Sequence, residues 1–305
     1  MGNILLKSGT FLFLIALGYI LKRIRFFGPE DYKIPVKIVL NVTMPCAVLT
    51  SFAAYKPDFS LLVIVLIAFS MNCILLFVST LLSKNCPRST RAVWLNCVPG
   101  NNIGAFAMPF VQSFLTPASL VATCLYDIGN AIMCCGTTYA ISKNILDGTK
   151  GIDLKKIGKT LLKSVPFLSY FVMLLITLFR IPIPDTLVTF VSPIANANAF
   201  LAMFMVGMML DLNIEKSVLR QVGGMLVVRY VAAALAAVAI YFLLPLPLPI
   251  RQALCITVFA PVSMVATAFT PDAGGDPAVT ACCNSVSILI SIPCMIGLLA
   301  VFGIL

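Results

Sequence analysis

The sequence predicts an all-α membrane protein, with ten transmembrane helices arranged as two inverted five-helix repeats. Three observations carry that reading. Hydrophobic residues make up 60% of the 305 residues and charged residues only 10%, against about 25% charge in a soluble domain, and the mean hydropathy is +1.05. The apolar residues gather into stretches of roughly the 20 residues that one bilayer crossing needs. Two of those stretches are interrupted mid-span by proline beside polar residues, in matching places of the two halves, roughly 160 residues apart.

The spans are read at about 4–21, 34–54, 60–82, 92–113, 117–142, 161–179, 186–209, 219–243, 250–270 and 278–304. The first follows Lys7, but Lys22, Arg23 and Arg25 come directly after it with no small-residue cleavage site. It is therefore expected to stay as a helix rather than leave as a signal peptide. Position 6 is Leu6, so Met1-Gly2 opens no myristoylation signal. The second span carries Asn41 and Pro45. The fourth contains Val98-Pro99-Gly100-Asn101-Asn102-Ile103-Gly104, and the fifth contains Asp127 and Asn130. The loop at 144–160 is the single candidate linker, dividing the chain into halves 1–150 and 151–305. Five is odd, so a second copy of the unit must enter the membrane from the opposite side, which makes the duplication an inverted repeat. The seventh span then carries Pro193, Asn196 and Asn198, matching the polar residues and proline of the second. The eighth holds Arg229, the ninth is broken at Phe259-Ala260-Pro261-Val262-Ser263, and the tenth bears Asn284, Ser285, Ser287 and Ser291.

A net charge of +10 would suit a nucleic-acid binder, but its distribution argues for topology instead. With the N-terminus outside, the cytoplasmic loops hold Lys22, Arg23, Arg25, Lys33, Lys84, Arg88, Arg91, Lys143, Lys150, Lys155, Lys156, Lys159, Lys163, Lys216 and Arg220. The other side holds Lys7, Lys56, Arg180 and Arg251. That bias sets both termini on the extracytoplasmic side of a cell membrane, and the lipid bilayer, not nucleic acid, is the expected partner. The chain has no histidine and no Cys-x-x-Cys spacing among its eleven cysteines, so neither a metal site nor a cofactor is expected. The cysteines read as small apolar residues at helix contacts.

Chemistry concentrates at the two breaks. A broken helix in lipid frees N–H and C=O groups that hydrocarbon cannot satisfy, and it persists only against protein or a water-filled cavity. Paired breaks at corresponding positions are the best sequence pointer to the binding site of a secondary transporter. Pro99 removes a donor and Gly100 releases the helical geometry. Asn101 and Asn102 supply neutral donors and acceptors. Beyond each break a new half-helix starts, with partial positive charge on its free N–H groups. Pro261, Val262 and Ser263 supply the second such end, and two ends converging make an anion site suited to a small carboxylate. Asp127 is the one acid at mid-membrane depth, with Asn130 on the same helix face. It serves as substrate contact, gate or proton carrier, or else ties the broken backbone together. Arg229 is expected to snorkel to the cytoplasmic interface, with pairing to Asp127 or to an anion as the sharper alternative. The polar residues of the tenth span either line the same region or bond between helices.

At these residues the chain resembles the auxin efflux carrier family, whose prokaryotic members include malate and malonate permeases. The similarity is clearest over Phe259-Ala260-Pro261, Ala266-Thr267-Ala268-Phe269 and Gly274-Gly275-Asp276-Pro277-Ala278, then Ser287, Ser291 and Pro293. It extends to Gly100-Asn101-Asn102-Ile103-Gly104, Met108-Pro109 and Asn41-Val42-Thr43-Met44-Pro45. The resemblance implies a fold like that of sodium–proton antiporters and bile acid transporters, with helices four and nine crossing. It also implies a homodimer in which a transport domain (helices 3–5 and 8–10) moves elevator-fashion against a scaffold. Asn101, Asn102, Pro99 and Pro261 would frame the substrate site at that crossing. The chain lacks the long central loop of the plant carriers, which favours a small organic anion over auxin-like weak acids. It also lacks an acidic cluster for sodium, which argues against a sodium-coupled bile-acid-type symporter. An intramembrane aspartyl protease is the rival from another class, with Tyr126-Asp127 as one half of its signature and Gly274-Gly275-Asp276 as an imperfect other half. Two carboxylates must sit within a few ångströms to share a proton, and Asp276 falls at the membrane surface. No enzyme is therefore expected.

Overall fold

The computed structural model describes residues 2–28, 30–148, 153–210 and 216–304, and these are helical almost throughout. No strand occurs among them; the β-type pairing is one antiparallel bridge between Asn101 and Val262. Helices satisfy their own backbones, which is what a hydrocarbon solvent demands. In chain order they are α1 (Gly2–Arg23), α2 (Lys33–Ile38), α3 (Met44–Ala54), α4 (Val63–Leu82), α5 (Arg88–Cys97), α6 (Met108–Phe114), α7 (Pro117–Ile132) and α8 (Thr138–Asp147). The remainder are α9 (Leu154–Lys163), α10 (Val165–Leu178), α11 (Asp185–Met209), α12 (Lys216–Leu243), α13 (Leu248–Thr257), α14 (Met264–Phe269) and α15 (Pro277–Val301).

Among the described residues, six stretches are long and apolar enough to cross a membrane: Lys33–Ala54, Phe59–Leu82, Pro117–Asp147, Asp185–Met209, Ser217–Leu243 and Pro277–Val301. A seventh arises if α9 and α10, which meet at 84°, form one bent span. The expected spans at 92–113 and 250–270 are pairs of short helices, α5 with α6 and α13 with α14, each parted by non-helical residues. The expected loop at 144–160 is largely helical instead. α8 runs on to Asp147 before Gly148 takes a left-handed φ of +68°, and the lysine-rich stretch folds as α9. Lys150 and the boundary between the halves lie outside the described residues.

Local chemistry fixes the ends and bends. Thr116 accepts from Ser119 N at the start of α7, Asp153 from Lys156 N at α9, and Asp276 from Ala278 N and Val279 N at α15. Such caps satisfy first-turn N–H groups that no helix can satisfy internally. Proline shapes the interior. Met44-Pro45 and Met108-Pro109 each follow a widened π-turn, Val39–Thr43 and Ile103–Ala107, closed by Met44 N on Val39 O and Met108 N on Ile103 O. A proline ring excludes the carbonyl four residues back, and one wider turn absorbs the misfit.

α7 is the central helix, buried at every residue from Ser119 to Ala131. It lies so close to α4 that a Cβ on Gly129 would stand 2.1 Å from Val65 O. α1 and α11 approach just as tightly: a Cβ on Gly207 would meet Ile15 O at 2.0 Å, and one on Gly18 would meet Phe204 O at 2.2 Å. Without a hydrophobic drive between helices in lipid, such small residues allow the backbone contact that holds them together. Phe13, Leu66, Phe77, Phe190, Leu235 and Phe242 are exposed on the outer faces, where lipid would cover them.

Candidate functional site

Helix α5 stops because Pro99 has no N–H and Gly100 turns to φ +81°. Helix α13 stops at Thr257, and Ala260 to Ser263 run non-helically before α14. The two interruptions meet. Asn102 N donates to Pro261 O at 2.8 Å, alongside the Asn101–Val262 bridge. This crossing is the arrangement in which each broken backbone answers part of the other's polar demand.

The groups left over are met by side chains, and they sort by sign. On the amide side, Asn72 Oδ1 accepts from Gly100 N. Asn130 grips Asn101 at both backbone atoms, its Oδ1 accepting from Asn101 N and its Nδ2 donating to Asn101 O, each at 2.9 Å. Ser287 Oγ accepts from Val262 N at 3.0 Å. On the carbonyl side, Asn101 Nδ2 donates to Thr257 O and Val258 O, both at 3.3 Å. Arg229 completes it. Its Nη1 donates to Val98 O at 2.6 Å, and its Nη2 to Asn101 Oδ1 at 2.7 Å, Ala260 O at 2.9 Å and Pro261 O at 3.0 Å. The expected snorkelling of Arg229 is thus overturned. The residue is 2% exposed, about 20 Å along α12 from Lys216, and its charge is held by helix-end carbonyls. It forms no ion pair with Asp127; the ion pairs among the described residues are Lys33–Glu30 and Arg88–Asp147.

A cavity of about 280 Å³ opens on the far side of the crossing. Asn101, Asn102, Asp127, Asn130 and Ser263 line it, while Pro99, Gly100, Pro261 and Val262 form the crossing itself without reaching the cavity wall. Gly104 and Ala105 bring the start of the 103–114 half-helix into it, and Ser263, Met264 and Val265 bring the start of α14. The first-turn residues of both half-helices therefore border one space. The Asn101 amide is committed to backbone carbonyls and to Arg229, whereas the Asn102 side chain makes no hydrogen bond among the described residues. The Asp127 carboxyl accepts from Asn130 Nδ2 at 2.9 Å. It stands beside Gly104, where a Cβ would lie 3.7 Å from Asp127 Oδ2 and 3.1 Å from the Tyr170 hydroxyl.

Several site residues escaped the sequence reading. Asn72 sits in an ordinary apolar run, Ser70-Met71-Asn72-Cys73, and only its depth in that run sets it apart. Tyr170 carried no signal, being one aromatic in a lipid-type helix. Lys163 was counted as a loop charge, yet it ends α9 at the 84° bend and lines the cavity with Ser164 and Asn41. Asp276, the candidate partner of Asp127 in a protease, is the N-cap of α15 and does not line this cavity. Ser291 bonds to the Tyr230 hydroxyl at 2.8 Å, so its part is helix contact. Among the described residues the cysteines are free thiols and no cluster of metal-ligating side chains occurs.

No curated protein matches the chain. Residues 10–150 match a family model described as a membrane transport protein. That stretch contains the first interruption with Asn72, Asp127 and Asn130, the amide-side framework of the crossing. The first half of the chain is thus similar to membrane transport proteins, in keeping with several bilayer-length apolar helices and a paired helix break over a polar cavity.

Proposed function

We propose that the protein is a secondary transporter of small organic anions, carboxylates of the malate or malonate type, bound in the cavity beside the helix crossing. One observation carries the reading: two half-helix N-termini, from 103–114 and from α14, border a single cavity that also presents the uncommitted amide of Asn102 and the cation Lys163. Helix N-termini favour anions through oriented N–H groups, and Lys163 adds a mobile charge at the cavity mouth. The positive-inside rule puts the α9–α10 bend, and so this mouth, on the cytoplasmic side. The finer architecture belongs to the same proposal: ten spans in two inverted repeats, halves 1–150 and 151–305, both termini outside, a homodimer, and elevator movement of the crossing helices against the rest.

Asp127 shares the cavity with the anion. An ionised Asp127 would repel a carboxylate a few ångströms away, more strongly than water would allow, so the substrate enters together with a proton. The test is uptake of labelled mono- and dicarboxylates into proteoliposomes with an imposed pH gradient, a sodium gradient, or neither. At least one small carboxylate should accumulate faster with the pH gradient. Asn102→Ala should cut that uptake about 10-fold or more, the loss of a hydrogen bond to a charged group. Asp127→Asn should abolish the response to pH. Full uptake by Asn102→Ala would remove the anion from this cavity, and an unchanged pH response in Asp127→Asn would remove the proton from Asp127.

A further inference from the structure

The carbonyl side of the crossing is built like an ion site. Val98 O, Ala260 O, Pro261 O and Asn101 Oδ1 converge within 2.6–3.0 Å of two nitrogens of one guanidinium, with Cys97 O at 3.5 Å. Converging carbonyl oxygens at the C-terminal ends of broken helices are where transporters hold coupling cations. Each helix C-terminus carries roughly half a negative charge, so the ends of α5 and α13 present about one unit between them. One unit is what Arg229 returns. No carboxylate is needed to balance it, and none is paired with it among the described residues.

We infer that Arg229 is a tethered cation occupying what would otherwise be an alkali-ion site, and that the crossing consequently needs no sodium or potassium ion to stay assembled. The planar fork matters as well as the charge. Nη1 reaches the first break and Nη2 the second, so the group spans both interruptions as a lysine ammonium, a single point charge, cannot. Nε alone has no partner among the described residues. The inference rests on the crossing and is independent of which substrate the cavity takes.

The test is thermal unfolding of the purified full-length protein in detergent, free of any transport assay. Wild type should melt at the same temperature in sodium, potassium and choline chloride. Arg229→Ala should melt lower, and methylguanidinium, far below denaturing concentrations, should raise its melting temperature by about 2 °C or more while leaving wild type unmoved. Sodium should rescue Arg229→Ala more than choline does, because the vacated oxygens still favour a cation. Arg229→Lys should melt between the two and gain less from methylguanidinium. Selective stabilisation of wild type by sodium would overturn the inference. So would an Arg229→Ala variant that responds to methylguanidinium and to choline alike. Should Arg229→Ala fail to fold, the wild-type ion series and Arg229→Lys decide: ion-independent melting of both supports the inference, and sodium-dependent melting of wild type refutes it.

Discussion

Asn130 shows how one neutral side chain can hold a broken backbone in lipid. Its amide oxygen accepts from Asn101 N, and the two N–H groups of Nδ2 donate to Asn101 O and to Asp127. Leucine there would leave the buried Asn101 N–H unmet, at about 1–3 kcal/mol, and would leave Asn101 O with Ile103 N as its remaining donor, a larger effect than the ~0.6 kcal/mol average for polar contacts between membrane helices. Asn130→Leu should therefore lower the melting temperature by several degrees, and Asn72→Leu, which strands Gly100 N, by somewhat less. An Asn130→Leu protein that melts like wild type would mean that the crossing is supported elsewhere. Asn101, Asn102 and Asp127 stand out in the sequence as polar residues in apolar runs, and all three line the cavity. The role of Asn101 was not legible: whether an amide faces a cavity or a carbonyl depends on a helix about 160 residues away. Arg229 was misread for the same reason. In the sequence it resembles any snorkelling residue, and only the carbonyls of two other segments show why it is buried at mid-helix.

The all-helical architecture followed from the apolar stretches, because a backbone in lipid must satisfy itself, whereas the length of each helix did not: 92–113 and 250–270 are pairs of short helices, and 144–160 is largely helical. The contacts between helices did not follow either. Glycine carries no label for whether it packs against a backbone or against nothing. Gly207 presses on Ile15 O, while Gly223 has nothing within 4 Å of a would-be Cβ. Gly207→Ala should force α1 off α11 and lower the melting temperature, whereas Gly223→Ala should be neutral or slightly stabilising, by up to about 1 kcal/mol of helix propensity. Equal effects of the two substitutions, measured side by side in one detergent, would contradict the packing described for α1 and α11. The π-turns before Met44-Pro45 and Met108-Pro109 belong to this scale too. The prolines were visible in the sequence, but whether each kinks, breaks or widens its helix was decided by the neighbours.

Across the whole molecule, the expected orientation rests on charge, because the rule that places basic loops on the cytoplasmic side needs no tertiary information. Cys86, between Lys84 and Arg88 and partly exposed, is a natural reporter of that orientation. A membrane-impermeant maleimide should spare it in intact cells and label it once the membrane is permeabilised, with Cys86→Ser as the control. Labelling of Cys86 from outside would invert the topology. Pairing between the halves was invisible to any such rule, and it has a consequence for how the chain is made. Asn72 and Asn130 are synthesised before the linker, so the amides of the first break find partners early. Val98 O and the Asn101 side chain wait for Arg229 and α13, which leave the ribosome more than a hundred residues later. During that interval the first half must shelter unmatched carbonyls within the bilayer, and the late arrival of α12 and α13 is the event that locks the fold.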